Sequence, residues 1–197
     1  SIEFESIVKE LRGNRKTEVI VVDFEYGFQS LRKRISDVQN SIAYQSKINP
    51  NQIKNPEYWN ANYVLVNALK STFVMQAIDM KLTSNELVAW IDFGYCRDEA
   101  TLSGKTKWQY PFDKNKIHLF NLRELDNWGL HDIIANNRVY MTGPCIVAGS
   151  HMWKELYDLV NRAITEMLDT NWIDDDQTML LMAYVYRKEF FELHKVN

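Results

Sequence analysis

The sequence is poor in the residues that staple or punctuate small proteins. Its 197 residues include only two cysteines, Cys96 and Cys145, far apart and in no CxxC spacing. That argues against a disulfide framework and for two free thiols in a reducing compartment. Seven glycines and four prolines exclude collagen-like and low-complexity classes. No apolar run approaches the length of about 18 residues that a membrane-spanning helix needs. The opening Ser1-Ile2-Glu3-Phe4-Glu5 is acidic where a secretory leader would be basic. Positive charge is not in excess, since 23 Lys and Arg against 26 Asp and Glu leave a net −3. The basic footprint of a nonspecific nucleic-acid binder is therefore missing, and no nucleic-acid partner is expected. GxSxG, P-loop, GxGxxG and HExxH motifs are absent, so the hydrolase, nucleoside-triphosphatase, Rossmann dehydrogenase and zincin readings lose their main support. None of His118, His131, His151 and His194 stands at metal-site spacing from another His or Cys, which argues against a structural zinc site.

What is present suits one globular domain spanning residues 1–197. A chain of this length buries roughly 70% of its unfolded surface and needs no staple to hold a core. Aromatic residues reach 13%, enough to fill a core and to leave faces for stacking on sugars. Ile2, Ile7, Val8 and Leu11 recur at helical spacing before Gly13-Asn14. Glu18–Phe24, with four consecutive β-branched residues, predicts a strand covered on both faces. Phe28, Leu31, Ile35, Val38 and Ile42 mark an amphipathic helix. Residues 45–57 read as a loop, and residues from Tyr58 to about Leu82 as one helix. Leu87–Gly94 predicts a second buried strand with Asp92 near its end. After an irregular stretch, Ile117–Phe120 is a short strand and residues 130–136 a short helix. Val139–Met141 and Cys145–Ala148 form a strand pair or one interrupted strand, ending at Gly149-Ser150. Trp153, Leu156, Tyr157, Val160, Ile164, Met167 and Leu168 give the clearest amphipathic helix, and Asp174-Asp175-Asp176-Gln177 opens the last one. Strands alternating with helices predict an α/β fold with a mostly parallel sheet. Ligands of such sheets sit beyond the carboxyl ends of the strands.

Four places can carry chemistry. Asp92 ends an apolar strand, where a carboxylate needs a cation or donors to offset its desolvation; it reads as a metal or ribose ligand, or as a turn residue before Gly94. Asp174, Asp175 and Asp176 repel one another. One acid suffices to cap the helix, Asp174 and Gln177 being at capping-box spacing, so the other two point either to a site or to solvated charge. Ala148-Gly149 at a strand-to-helix junction lets a backbone approach a ligand, or makes a plain tight turn. Lys70 stands among Ala68, Leu69 and Phe73; it is a solvated helix residue, or it turns inward to pair with Asp92 or a phosphate.

In order along the chain, Tyr63 through Lys70, Trp90-Ile91-Asp92-Phe93-Gly94, Ala148-Gly149-Ser150 and Asp175-Asp176-Gln177 resemble the HtrL/YibB (WlaTC) family of bacterial proteins. That family is regarded as glycosyltransferases of lipopolysaccharide or other surface glycans. The same order resembles the wider GT-A glycosyltransferases, which use nucleotide sugars and end a strand in Asp-x-Asp to hold a divalent metal. The resemblance implies a GT-A-like (Rossmann-like) fold, with Asp92 as ligand to Mn²⁺ or Mg²⁺ and Asp176, with Asp175 and Gln177, at the reacting centre. It implies Lys70, Gly149, Ala148, Arg97 and Trp90 as substrate-binding residues. Trp108, Tyr110 and Trp128 would stack on an acceptor sugar or pack loops onto the sheet. The expected partners are a nucleotide-sugar donor and a glycan or lipid-linked acceptor, in the cytoplasm, with peripheral contact at the inner membrane. Gly94 departs from the motif by replacing its second Asp, and the strand that cradles the base in GT-A enzymes is expected to lie before Ile2. Two rivals are a non-catalytic glycan- or protein-binding module, and a metal-dependent phosphohydrolase using Asp92 with Asp174–Asp176. The leading reading requires the Asp92 and Asp176 carboxylates to converge on one cleft, within about 10 Å of each other.

Overall fold

A computed structural model describes residues 3–95, 98, 104, 107 and 109–196. Four strands, β1 (Leu87–Ile91), β2 (Ile117–Asn121), β3 (Cys145–Gly149) and β4 (Phe191–Lys195), form one sheet in the order β1-β3-β2-β4. β3 runs antiparallel to both β1 and β2, and β4 runs parallel to β2. The class is α/β as expected, but the sheet is mixed rather than mostly parallel. Apolar runs encode burial and not direction: β3 inserts between β1 and β2 against their sense, and only β2 to β4 makes a same-sense crossover.

The helices are α1 (Glu3–Arg12), α2 (Phe24–Gly27), α3 (Gln29–Gln39), α4 (Ile42–Gln45), α5 (Ala61–Ala68), α6 (Lys70–Asp79), α7 (Leu130–Ala135), α8 (Met152–Asp169) and α9 (Asp176–Tyr186). α8 is the amphipathic helix read from residues 153–168, and it buries nine side chains from Met152 to Leu168. Each fully buried aliphatic or aromatic group contributes roughly 1.5–3 kcal/mol, so this stripe holds the helix to α6, to α9 and to strands β2 and β3. Trp153 is fully buried, and its Nε1 donates to the Val88 carbonyl at 3.2 Å, tying α8 to β1. Val88, Trp90, Ile117, Leu119, Ile146, Ala148 and Phe191 supply the sheet's side of this core. On the opposite face, the Tyr110 and Phe112 rings lie against His194.

Several elements differ from the reading of the sequence, among them the helix read through Ile42, which ends at Gln39 and leaves Ile42 exposed at the start of α4. Residues 18–23 belong to no strand, and Ile20 and Val21 are 46% exposed. The segment has strand composition but no ladder partner, and β-propensity without a neighbouring strand does not make one. The helix expected over 58–82 is two helices meeting at Leu69 (φ −88°, ψ 0°). The expected strand at 139–141 is reduced to an isolated bridge between Met141 and Asn121. β4, which the sequence reading passed over, closes the sheet.

Candidate functional site

The end of β1 carries Asp92, whose amide N–H donates to the Pro144 carbonyl at 2.8 Å. Asp92 shares the helix-covered side of the sheet with Trp90, and the Trp90 Nε1 donates to Asp92 Oδ1 at 2.6 Å. The junction at Leu69 makes Lys70 the first residue of α6 and turns it inward. Its Nζ donates to Asp92 Oδ2 at 3.0 Å, to Asp176 Oδ2 at 2.8 Å and to the Gly143 carbonyl at 3.2 Å. Both carboxylates therefore sit on one ammonium, which brings Asp92 and Asp176 within the expected separation of about 10 Å of each other. The Lys70 side chain is 5% exposed and that of Asp176 8%, whereas Asp92 is 32% exposed and meets solvent.

Gly143 completes this arrangement and was missed in the sequence. A Cβ there would fall under 3.0 Å from Cγ, Oδ1 and Oδ2 of Asp176, so only glycine lets that carboxylate reach Lys70. Its signal was the Gly-Pro pair after Met141-Thr142, but the need arises from a side chain far along the chain.

The three consecutive acids have three separate solutions. Asp174, not solvated, accepts from the Thr178 hydroxyl at 2.6 Å. Asp175, rather than Asp174, is the cap of α9, its Oδ1 accepting from the Gln177 N–H at 3.0 Å. Asp176 turns back to Lys70. All three are buried, and burial pushes each carboxyl above its ordinary range: Asp174 up to about 7, Asp175 well up, and Asp176 up against the opposing pull of Lys70. Burial, with Asp175, Glu57 and Asp176 nearby, raises the Tyr63 hydroxyl on α5 to about 12. Gln177 is half-buried at the same helix start.

Ala148 and Gly149 do not join this group. The register Leu87↔Gly149 and Ile91↔Cys145 puts them at the end of β3 away from Asp92. Ala148 is fully buried in the sheet core, and a Cβ on Gly149 would fall under 3.0 Å from the carbonyl carbon and oxygen of Lys114. The close approach inferred for Gly149 is real, but the approaching group is the chain's own backbone. Arg97, Cys96 and Trp108 lie outside the described residues. Tyr110 packs on Phe112 at 4.6 Å between ring centroids, and Trp128 lies under the Arg138 guanidinium at 4.4 Å, while the two remain 50% and 45% exposed, respectively.

A Mg²⁺ or Mn²⁺ ion is compatible with Asp92 in one specific way. Each Asp92 oxygen accepts one hydrogen bond and keeps a lone pair, and the side chain reaches solvent. Such hard cations are often held by one or two carboxylates together with substrate phosphates, not by an all-protein cage. Among the described residues, no helix is long and apolar enough to cross a membrane.

Residues 3–197 match the family model described as "Bacterial protein of unknown function (HtrL_YibB)". The protein named "Protein HtrL" from Escherichia coli (strain K12) is 40% identical over 191 residues, which span 95% of this chain and 67% of that protein. No solved structure matches.

Proposed function

The chain belongs to the HtrL/YibB family of bacterial proteins, and from that premise we propose that it is a GT-A-like glycosyltransferase, moving a sugar from a nucleotide donor to a surface-glycan acceptor of the lipopolysaccharide type. One observation carries this reading: two carboxylates distant in the chain meet on a buried lysine at the carboxyl end of edge strand β1. In the reaction, the bond from the sugar's anomeric carbon to the diphosphate oxygen breaks, and its electron pair stays on the diphosphate. The acceptor oxygen bonds to the anomeric carbon, and its proton passes to a base. Asp176, with Asp175 beside it, is assigned that role; burial raises the proton affinity of both. Lys70 has all three of its donors engaged, so it acts as a positioning residue that fixes the spacing of Asp92 and Asp176 rather than as a direct phosphate contact. Asp92 would hold a Mg²⁺ or Mn²⁺ ion together with the donor's phosphates, and the ion supplies charge stabilisation on the departing diphosphate.

The same engagement of Lys70 favours the rival, a module that kept the fold and binds a glycan or a protein without catalysis. Titration calorimetry of the full-length protein with a panel of nucleotide sugars and Mn²⁺ separates the two. Binding weakened at least tenfold by Asp92→Asn is the expected result. No binding of any nucleotide sugar would discard the enzyme.

A further inference from the structure

β2 and β4 pair in parallel with His118 opposite Glu192 and Phe120 opposite His194. Side chains alternate across a strand, so His118, Glu192 and His194 all stand on the sheet face away from the helices. His118 is fully buried. Its Nε2 lies 2.9 Å from the Asp113 carbonyl, which can only accept, so the ring proton is on Nε2. The lone pair on Nδ1 then points at His194 Nε2, 2.9 Å away. Glu192 presents Oε2 at 3.7 Å from His118 Nδ1 and Oε1 at 3.9 Å from His194 Nε2, outside hydrogen-bond range of both rings. One ligand atom from each residue lies within 4.8 Å of the others.

We propose that His118, Glu192 and His194 bind a divalent transition-metal ion of the zinc class. Four ligands around Zn²⁺ at about 2.0–2.2 Å stand roughly 3.3–3.6 Å from one another. The separations in the trio fall on either side of that spacing, and Glu192, 45% exposed, can swing to close it. The bond from His118 to the Asp113 carbonyl is the outer support that fixes the tautomer of a metal-ligating histidine. Two imidazole nitrogens and one carboxylate favour Zn²⁺ over the hard cations Mg²⁺ and Ca²⁺. Three protein ligands leave a fourth position to water. The ring centroids of Phe112 (4.7 Å from His118) and Phe120 (5.4 Å from His194) make the surrounding wall apolar. When the ion enters, the proton on His194 Nε2 leaves for Nδ1 of the same ring or for solvent, and that nitrogen becomes a ligand. This site is separate from Asp92: it lies on the other face of the sheet, with β3 between β1 and β2. Sequence spacing could not reveal it, because the two histidines stand 76 positions apart and are joined only by the strand pairing.

The test uses full-length protein stripped with a chelator and titrated with Zn²⁺, with Co²⁺ as a spectroscopic substitute. One tightly held ion per chain is expected, with Co²⁺ giving the intense visible bands of a four-coordinate site and Mg²⁺ or Ca²⁺ failing to compete. His194→Asn and Glu192→Gln, both partly exposed and checked for folding by circular dichroism, should each weaken Zn²⁺ binding at least tenfold. His151→Asn should leave it unchanged. Absence of stoichiometric binding, or unaltered affinity in His194→Asn, would show a hydrogen-bonded histidine pair and overturn the proposal.

Discussion

Replacing Lys70 by Met removes the ammonium on which Asp92 and Asp176 converge while keeping most of the side-chain volume. Taking one partner from a buried ion pair costs about 3–5 kcal/mol, because the other charge is left without compensation. Asp92 is 32% exposed and finds water, so most of the cost falls on Asp176 at 8%. The Asp176 carboxyl can escape by taking a proton, which makes the penalty depend on pH. The expected loss for Lys70→Met is about 3 kcal/mol at pH 8 and smaller at pH 5, where the raised Asp176 carboxyl is more readily protonated. At about 2–4 °C per kcal/mol for a chain of this size, the melting midpoint falls by about 6–12 °C at the higher pH. Urea unfolding followed by tryptophan fluorescence measures this, with an unchanged m-value as the sign that only stability has moved. Asp176→Asn in the Lys70→Met background removes the stranded charge and should recover stability, with a coupling energy of about 2 kcal/mol. A Lys70→Met protein within 1 kcal/mol of the parent at pH 8, or a double variant no better than the single one, would refute the reasoning.

Asp174 supplies a separate dependence on pH. Its folded pKa near 7 lies above its unfolded value, so its contribution to stability is complete at low pH and is lost as pH rises through the folded value. Asp174→Asn keeps an acceptor for the Thr178 hydroxyl and should flatten the loss between pH 4 and 8. At 1.36 kcal/mol per pKa unit, the gain at pH 8 is bounded at about 4 kcal/mol; an unchanged pH profile of urea midpoints would refute the assignment. Gly143→Ala drives its methyl into the Asp176 carboxylate and should cost about 1–3 kcal/mol, an effect that largely vanishes in an Asp176→Ala background. Gly149→Ala meets the Lys114 carbonyl, which is backbone and cannot swing away, so it should cost more than Gly143→Ala, about 3 kcal/mol or above, while nucleotide binding per folded molecule stays unchanged in calorimetry.

The Asp92–Lys70–Asp176 cluster was legible because each member posed a local problem. A carboxylate closing an apolar strand needs a donor, a lysine among Ala68, Leu69 and Phe73 needs an acceptor, and three acids in a row need separate partners. Sequence patterns state such needs but not who meets them. Gly149 shows the difference: its requirement for glycine was readable, but the neighbour that imposes it, Lys114, became visible only with the fold. Gly143 posed no local problem at all, since its constraint comes from Asp176. Strand direction was invisible for the same reason, and β4 was overlooked because Glu192 and His194, facing away from the helices, gave its alternation a polar half. The run from Glu18 to Phe24 misled in the other direction, its β-branched residues satisfying propensity while the sheet offered them no partner.

Lys70 and Asp176 stand 106 positions apart. While the polypeptide is being made, the lysine leaves the ribosome long before its second counter-charge exists, and α6 has no reason yet to bury it. A product ending before residue 176 lacks α9 and the Asp176 half of this cluster, so it is expected to leave the lysine with Asp92 and water alone and to be cleaved faster by a protease than the full chain.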